Sequence, residues 1–323
     1  MDIGLRNLRC LVLGGNGFIG ANLCRALAAS GLRVRSLSRN LPPACNSTLY
    51  GWHNHIEWMQ GSFSDVMLLR KSLRDVDVVF HLISSTLPST SNDDVRFDLT
   101  SNVLPTLQLL EAACHSGIRK VIFLSSGGTV YGQSAYMPLA EDDPTNPICA
   151  YGIHKLLIEK YLDLFHRLRN IDHRVLRVSN AYGIGQSLAR SQGVVAHFVH
   201  KAVLREPLEV WGDGTVIRDF IHITDIISAF LLVVHYEGSF RVFNIGSGTG
   251  HSLLQLISVI EAMHGKSVEI RFRRARTVDV SANVLDIRRA KSELNWHPTV
   301  SLADGVRELV RAEQTRSRSN GVV

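Results

Sequence analysis

The sequence contains few cysteines and no long apolar run. Its five cysteines among 323 residues are an odd number, and no two of them form a Cys-x-x-Cys pair. We therefore expect neither a disulfide framework nor a metal site, and unpaired thiols fit a reducing compartment. No apolar stretch is long enough to cross a bilayer, and residues 1–4 lack the charged-then-apolar pattern of a leader. These absences predict a soluble, cytoplasmic protein without a membrane partner.

The sequence also lacks a large cluster of positive charge. The formal net charge is +6, and the basic residues are dispersed except in residues 271–276 and 311–318. A nucleic-acid-binding protein needs a continuous basic surface and a recognisable reading element, and neither is visible here. We therefore exclude nucleic acid as a partner, whereas an anionic small-molecule ligand suits a mildly basic chain.

Short β-type runs alternate with helical patterns in the first half of the chain. The predicted strands are residues 8–13, 33–37, 77–83, 120–125 and 173–178. The predicted helices are residues 18–30, 64–73, 97–116 and 146–169. This order is typical of an α/β fold in which a parallel sheet lies between helices. Beyond residue 179 the pattern is mixed, with further helical patterns over residues 193–204 and 224–236.

A glycine-rich turn joins the first predicted strand to the first predicted helix. Gly14, Gly17 and Gly20 would permit the tight turn, the close approach of the backbone to a pyrophosphate, and the packing of helix on strand. The unpaired N–H groups of the helix start, at Phe18 and Ile19, would face the phosphates. This context predicts a Rossmann doubly wound parallel sheet that binds NAD(P).

The end of the second predicted strand bears on the choice of cofactor. NAD-binding proteins usually place an acidic residue there for the adenosine ribose, and this chain has Ser38 followed by Arg39. A hydroxyl and a guanidinium suit a 2′-phosphate, which a carboxylate would repel. We therefore favour NADP over NAD. The alternative is that Arg39 is a solvated loop residue that stacks on adenine.

Tyr151 and Lys155 are four residues apart near the start of a predicted helix, so their side chains share one face. A free tyrosine has a pKa of about 10 and is a weak base at neutral pH. The Lys155 ammonium and an oxidised nicotinamide would both stabilise the phenolate and lower the pKa of Tyr151. The pair predicts a tyrosine that moves a proton beside a bound nicotinamide.

With these features the sequence resembles the extended short-chain dehydrogenase/reductases, and within them the NAD-dependent epimerase/dehydratase family. It looks closest to the UDP-glucose 4-epimerase-like proteins of polysaccharide biosynthesis. The matching stretches fall in the family's order and are residues 14–20, 124–132, 151–155, 177–180, 218–222, Asp225 and residues 243–247. The resemblance implies a Rossmann domain over residues 1–178, with residues 218–245 packing back onto it. A smaller, mixed α/β substrate domain would occupy mainly residues 179–323.

The resemblance also implies roles for single residues near the cofactor. Tyr151 would be the acid/base at a sugar hydroxyl, Lys155 would bind the nicotinamide ribose, and Asn102 would lie beside the cofactor. The family usually carries a Ser or Thr where this chain has Gly127. The hydroxyl that bonds the reacting oxygen would then come from Ser126 or Thr129.

A second set of residues would bind a nucleotide-diphosphate sugar, and its members are Asn180, Arg218, Arg276, Asp279 and Asn283. Asn180 would contact the pyrophosphate, and the two arginines would clamp it. Asp279 would lie near the nucleotide ribose. Asn283 would stand where the family gates the space around the sugar's C2 substituent, and a residue smaller than tyrosine there would admit an N-acetyl group. Relatives often form homodimers through two helices, here residues 97–116 and 147–169.

The same residues could epimerise, reduce or dehydrate a nucleotide sugar. Dehydration is disfavoured because Gly128 and Thr129 stand where related dehydratases carry an Asp-Glu pair. We favour a 4-epimerase that oxidises C4 transiently and returns the hydride to the other face. The alternative is an NADPH-dependent reductase of a nucleotide 4-keto sugar, which Ser38 and Arg39 would suit. A redox sensor that holds NADP without turnover is disfavoured because both Tyr151 and Lys155 are present. We assign no catalytic role to His81, His154 or His222.

Overall fold

A seven-stranded parallel sheet forms the centre of the first lobe. The computed structural model describes residues 8–42, 55–188, 193–275 and 280–319. The strands of this sheet are β1 (Arg9–Leu13), β2 (Arg33–Ser38), β3 (Ile56–Gln60), β4 (Val78–His81), β5 (Lys120–Ser126), β6 (Asp172–Val178) and β10 (Val242–Ile245). Their order is β10-β6-β5-β4-β1-β2-β3. The order therefore reverses between β1 and β4, which is where doubly wound sheets bind their ligands.

Helices cover both faces of this sheet and bury two apolar cores. The helices are α1 (Phe18–Ala29), α2 (Val66–Ser72), α3 (Val95–Ala113), α4 (Ala150–Arg169), α6 (Ile223–Val234) and α8 (Arg288–Leu294). Leu23, Phe230 and Leu294 of α1, α6 and α8 belong to one core. Leu69, Leu109 and Leu162 of α2, α3 and α4 belong to the other. The Rossmann-type α/β architecture expected from the sequence is confirmed.

The second lobe is smaller and contains both helices and short strands. Its elements are β7 (Asn180–Tyr182), α5 (Val194–Leu204), β8 (Leu208–Trp211), β9 (Ile217–His222), β11 (Gly250–Ser252), α7 (Leu253–His264), β12 (Ile270–Arg273), β13 (Ala282–Asn283) and α9 (Leu302–Ser319). β9 pairs with β7, β11 and β13, while β8 and β12 form a separate two-stranded sheet. Val199, Leu256 and Val310 of the three helices form a third core.

The chain returns to the first lobe twice. Of residues 218–245, α6 and β10 pack on the first lobe, while β9 pairs within the second sheet and contributes Ile221 to the first core. The second return is α8, which the sequence did not indicate. Its flanking residues Ile287 and Trp296 belong to the first core. The boundary between domains at residue 178 stays a prediction. In the described ranges, no helix is both long and apolar enough to cross a membrane.

One strand was missed by the sequence prediction and one helix begins earlier than predicted, each for an identifiable reason. β3 was not predicted, and it is an edge strand whose residues 56–60 are mostly half-buried or exposed. Such a strand lacks the continuous apolar run of a central parallel strand. α3 begins earlier than predicted because the Asp94 carboxylate accepts a hydrogen bond of 2.8 Å from the Phe97 N–H and caps the helix.

A buried ion pair joins α4 to the sheet. The Arg177 guanidinium of β6 donates to both carboxylate oxygens of Glu159, with Nη2 2.7 Å from Oε2. It also donates to the Tyr131 hydroxyl at 3.0 Å. Both charged side chains are about 5% exposed, so neither has water to replace the other. Removing one partner of such a pair leaves a buried, uncompensated charge.

We predict that Arg177→Met lowers the free energy of unfolding by about 3–5 kcal/mol. The double variant Arg177→Met/Glu159→Met recovers much of this loss, because the buried carboxylate is removed as well. Arg167→Met, which breaks the exposed pair with Asp163, costs less than about 1 kcal/mol. Urea unfolding of the four proteins measures these differences. An Arg177→Met loss no larger than that of Arg167→Met would contradict the prediction.

Candidate functional site

The glycine-rich loop lies at the carboxyl end of β1, where the strand order reverses. Gly14 has a φ of +91°, in the region that favours glycine, and its N–H donates to the Leu37 carbonyl at 2.8 Å. A Cβ on Gly20 would lie 2.2 Å from the Gly14 carbonyl oxygen. Gly17 caps α1 without a side-chain hydrogen bond, so the N–H groups of Phe18 and Ile19 begin the helix. The loop therefore fits a pyrophosphate, as the sequence predicts.

Ser38 belongs to the support of this loop. Its hydroxyl is buried and accepts a hydrogen bond of 3.1 Å from the Asn16 N–H. The Asn16 side chain in turn donates to the Asn40 carbonyl at 3.1 Å. Arg39, the next residue, is exposed. Of the two residues predicted to meet a 2′-phosphate, the serine thus already has a partner within the chain.

Asn102 of α3 holds the loop that follows β4. Its carbonyl oxygen accepts from the Ser85 N–H at 2.8 Å. Its amide donates to the Asp98 carbonyl at 2.8 Å and to the Thr86 hydroxyl at 3.3 Å. The residue is buried at the loop that leaves β4, beside the reversal point. Its predicted place beside the cofactor stays a prediction, and its hydrogen bonds show that it positions this loop.

Lys155 is buried on the inner face of α4. Its ammonium donates to the Leu124 carbonyl at 2.9 Å and lies 5.5 Å from the centroid of the Tyr151 ring. The residue is only 1% exposed. Burial lowers the pKa of Lys155 to about 7, although the carboxylates of Asp98 and Glu159 act in the opposite direction. The ammonium therefore loses its proton far more readily than a solvated lysine.

The Tyr151 phenol is strongly affected by its surroundings. Burial raises the pKa of Tyr151 to about 12, and a hydrogen bond with Ser84 opposes the rise. Burial of the phenol is the largest cause of the rise, and Lys155 is not among its causes. The lowering of this pKa by Lys155 together with an oxidised nicotinamide stays a prediction.

The hydroxyl partner of Tyr151 comes from an unexpected part of the chain, the loop after β4. Ser84 follows β4, whereas Ser126 ends β5 and Thr129 begins the next loop. The Thr129 hydroxyl is buried without a hydrogen-bond partner in the described residues. The roles given to Ser126 and Thr129 stay predictions, and Ser84 joins them as a candidate. The only sequence signal for it was the hydroxyl run at residues 84–86 after a predicted strand.

Gly127 has a steric reason to lack a side chain. A Cβ there would lie 2.5 Å from Cδ1 of Leu285 and 3.1 Å from the Arg177 carbonyl oxygen. The family's usual hydroxyl at this place has no room. The Gly127 carbonyl instead accepts a hydrogen bond of 2.9 Å from the amide of Asn283.

The predicted substrate residues converge on β9. Asn180 of β7 donates to the Asp219 carbonyl at 3.1 Å, and Arg218 donates to the Val280 carbonyl at 2.8 Å. Asn283 of β13 is the register partner of Arg218, and its Oδ1 is buried without a hydrogen-bond partner among the described residues. The structure thus brings Asn180, Arg218 and Asn283 together. The other two predicted residues, Arg276 and Asp279, lie outside the described residues.

Asp219 is a buried carboxylate that the sequence reasoning missed. It accepts hydrogen bonds from the Ser247 N–H at 2.7 Å and from the N–H groups of Gly248 and Leu285 at 3.2 Å each. These donors belong to the loop after β10 and to the chain after β13. The carboxylate therefore joins the two lobes next to Arg218. The sequence feature that could have indicated Asp219 is its position within residues 218–222, one of the stretches that match the family.

Comparison with known proteins decides the family. A model of the NAD dependent epimerase/dehydratase family matches residues 10–246. The chain belongs to this family. A reductase of dTDP-4-dehydro-6-deoxyglucose from Escherichia coli is 33% identical over 94% of this chain and 96% of its own length.

Two solved structures of the same family are similar throughout. UDP-glucose 4-epimerase of Thermotoga maritima with UDP-glucose has a TM-score of 0.89 at 31% identity, covering 97% of this chain and 100% of that one. UDP-glucose 4-epimerase of Thermus thermophilus with NAD has a TM-score of 0.86 at 27% identity, covering 95% of this chain and 99% of that one. The expected family and fold are confirmed.

We predict that Gly20→Val lowers the affinity for NAD and NADP more than tenfold, about 1.4 kcal/mol or more. The added side chain would displace the Gly14 carbonyl and deform the loop that meets the pyrophosphate. Ala29→Val is the matched control, since it places a valine at an exposed position at the end of the same helix. Titration calorimetry of both variants measures the effect. Unchanged binding by a folded Gly20→Val protein would contradict it.

Proposed function

We propose that this family member is a nucleotide-sugar 4-epimerase that interconverts UDP-glucose and UDP-galactose or their N-acetylated forms. The observation that carries the proposal is the arrangement of Tyr151 and Lys155 on one face of α4. The glycine-rich loop follows β1 where the strand order reverses, and the residues around β9 are connected to Gly127 after β5 through the amide of Asn283. The solved relatives with UDP-glucose and with NAD support the same ligands here.

Each group of residues has a task in the proposed reaction. Tyr151 accepts the proton of the sugar's C4 hydroxyl and later returns it, as a general base and acid. Lys155 stabilises the phenolate through its positive charge. When bound, the nicotinamide supplies the hydride chemistry at C4. Asn180 and Arg218 hold the diphosphate, which keeps the oxidised sugar in place while its ring turns over.

The size of the residue at position 283 supports a broad substrate range. By the family resemblance, Asn283 stands at the position that gates the space around the sugar's C2 substituent, and it is smaller than a tyrosine. Its buried and unpartnered Oδ1 could accept a hydrogen bond from the N–H of an acetamido group. We therefore include N-acetylated UDP-hexoses among the proposed substrates.

NADP stays our preferred cofactor, on the single basis of Arg39. Ser38 is engaged with Asn16, so the guanidinium of Arg39 is the group that would meet a 2′-phosphate. Against this stands the Thermus thermophilus relative, whose structure contains NAD. The identity of the dinucleotide that purifies with the protein distinguishes the two.

A homodimer and a cytoplasmic location complete the proposal. The outer faces of α3 and α4 expose large apolar side chains, among them Leu104, Ile153, Leu164 and Leu168. An apolar surface of this kind on two adjacent helices suits a partner subunit. Within the described ranges, Cys10, Cys24, Cys114 and Cys149 are free thiols, which suits a reducing compartment.

A reductase is the second candidate, because the Escherichia coli relative of similar identity acts on a 4-keto sugar nucleotide. The same tyrosine would then donate its proton to the C4 oxygen, and one NADPH would be consumed in each turnover. Epimerisation, by contrast, has no net redox change. The two functions therefore differ in stoichiometry.

We predict that the purified protein interconverts UDP-glucose and UDP-galactose without net consumption of added dinucleotide. Tyr151→Phe lowers kcat by at least about 100-fold, because general acid/base catalysis contributes on the order of 10²–10⁴. Chromatography of the sugar nucleotides and absorbance of the reduced cofactor measure both quantities. Stoichiometric NADPH oxidation with a 4-keto sugar, and no epimerisation, would establish the reductase instead.

Three alanine or valine substitutions identify the hydroxyl that assists Tyr151. We expect Ser84→Ala to lower kcat about tenfold, since it removes the hydrogen bond that opposes the raised pKa of Tyr151. Ser126→Ala and Thr129→Val serve as matched comparisons at the two positions favoured by the sequence. If either of these lowers kcat more than Ser84→Ala does, the assignment of Ser84 is wrong.

A further inference from the structure

The loop that follows β4 connects the glycine-rich loop to the start of α4. At its beginning, the Leu82 N–H donates a hydrogen bond of 3.1 Å to the Leu13 carbonyl, directly before the glycine-rich loop. Near its end the loop turns tightly, because the Ser91 N–H donates to the Leu87 carbonyl at 2.9 Å. One short segment of the chain therefore lies between the predicted dinucleotide site and the helix that carries Tyr151.

The first turn of α4 is capped by side chains from this loop. The N-cap residue is Cys149, whose thiol is a weak hydrogen-bond acceptor. The Ser91 hydroxyl, 60 residues earlier in the chain, accepts a hydrogen bond of 3.0 Å from the Tyr151 N–H. The Asn92 carbonyl oxygen accepts one of 2.9 Å from the Ala150 N–H. These two oxygens do for α4 what the side chain of a serine or aspartate at the N-cap does for other helices.

The two caps differ in burial. Ser91 is 0% exposed, whereas Asn92 is exposed. At an exposed position water can replace a lost acceptor, but at a buried position the donor is left unsatisfied. The first turn of α4 therefore depends more on the Ser91 hydroxyl than on the Asn92 side chain.

The ring of Tyr151 is also held from the same side of the helix. It contacts the imidazole of His154 edge-on, with ring centroids 5.0 Å apart. Nδ1 of His154 in turn lies 2.8 Å from Oδ2 of Asp98 in α3, which follows the loop in the chain. Tyr151 is thus held through its backbone by Ser91 and through its ring by a residue that α3 holds in place.

We propose that Ser91 is a positioning residue that fixes Tyr151 through its backbone N–H and so sets the place of the phenol beside a bound nicotinamide. Its role in catalysis rests on the function proposed above. Proton transfer requires the phenol within hydrogen-bond reach of the sugar hydroxyl, so a small displacement of this turn lowers the rate of turnover. The proposed diphosphate ligands lie around β9, so binding of the sugar nucleotide is left unchanged.

The direct test follows the Tyr151 N–H without turnover. The protein has seven tyrosines, so ¹⁵N labelling of tyrosine gives few amide signals, and Tyr151→Phe identifies the relevant one. We expect Ser91→Ala to speed hydrogen exchange of this amide about tenfold, as for the loss of one hydrogen bond. The matched control is Ser301→Ala, which removes a serine hydroxyl that accepts at 3.1 Å from the Asp304 N–H at the start of α9. This control leaves the exchange of the Tyr151 amide unchanged.

The kinetics of the same variants separate positioning from a general loss of structure. We expect Ser91→Ala to lower kcat with UDP-glucose about tenfold and to change KM less than about twofold. Ser301→Ala changes neither constant more than about twofold. Asn92→Ala, at the exposed cap, moves exchange and kcat in the same direction by less, and it replaces Ser91→Ala if that variant does not fold.

Three results would overturn the proposal. The first is exchange of the Tyr151 amide in folded Ser91→Ala that equals the exchange in Ser301→Ala. The second is faster exchange with an unchanged kcat, and the third is a raised KM with an unchanged kcat. If the unmodified protein does not epimerise UDP-glucose, the function proposed above fails, and the exchange comparison still decides whether Ser91 holds the Tyr151 amide.

Discussion

The site depends on the burial of an ammonium group. Lys155 has almost no contact with water, and α4 places it against the Leu124 carbonyl at the end of β5. A cation so situated persists only where nearby oxygens and carboxylates compensate for lost hydration. The same desolvation that weakens the hold of Lys155 on its proton raises the pKa of Tyr151. The position of α4 thus sets the acid-base properties of both residues.

The second constraint is the joining of the two lobes at β9. Asp219 accepts from Ser247, Gly248 and Leu285 and so connects the ends of β10 and β13 to β9. The register of β9 then places Arg218 opposite Asn283, whose amide reaches the Gly127 carbonyl beside the end of β5. Arg218 is therefore connected through Asn283 to Gly127, directly after β5.

Local patterns in the sequence predicted five of the seven strands of the sheet, five of the six helices that cover it, the glycine-rich loop and the Tyr151–Lys155 pair. Each of these depends on residues close together in the chain. Contacts between distant segments were not predictable in this way. Ser84, in the loop after β4, meets Tyr151 of α4, and Asp98 of α3 meets His154 of α4. The fit of Gly127 against Leu285 explains why the expected hydroxyl is absent, and it requires the return of the chain near α8. The rise of the Tyr151 pKa on burial was not predictable either, because desolvation cannot be judged without the fold.

The central claim is that the hydride removed from C4 of the sugar returns to the same carbon within one closed cycle. UDP-glucose deuterated at C4 tests this most directly. The account predicts UDP-galactose that retains the deuterium at C4, with none transferred to a pool of added dinucleotide. Product that has lost the label, or label that accumulates in free reduced dinucleotide, would contradict it.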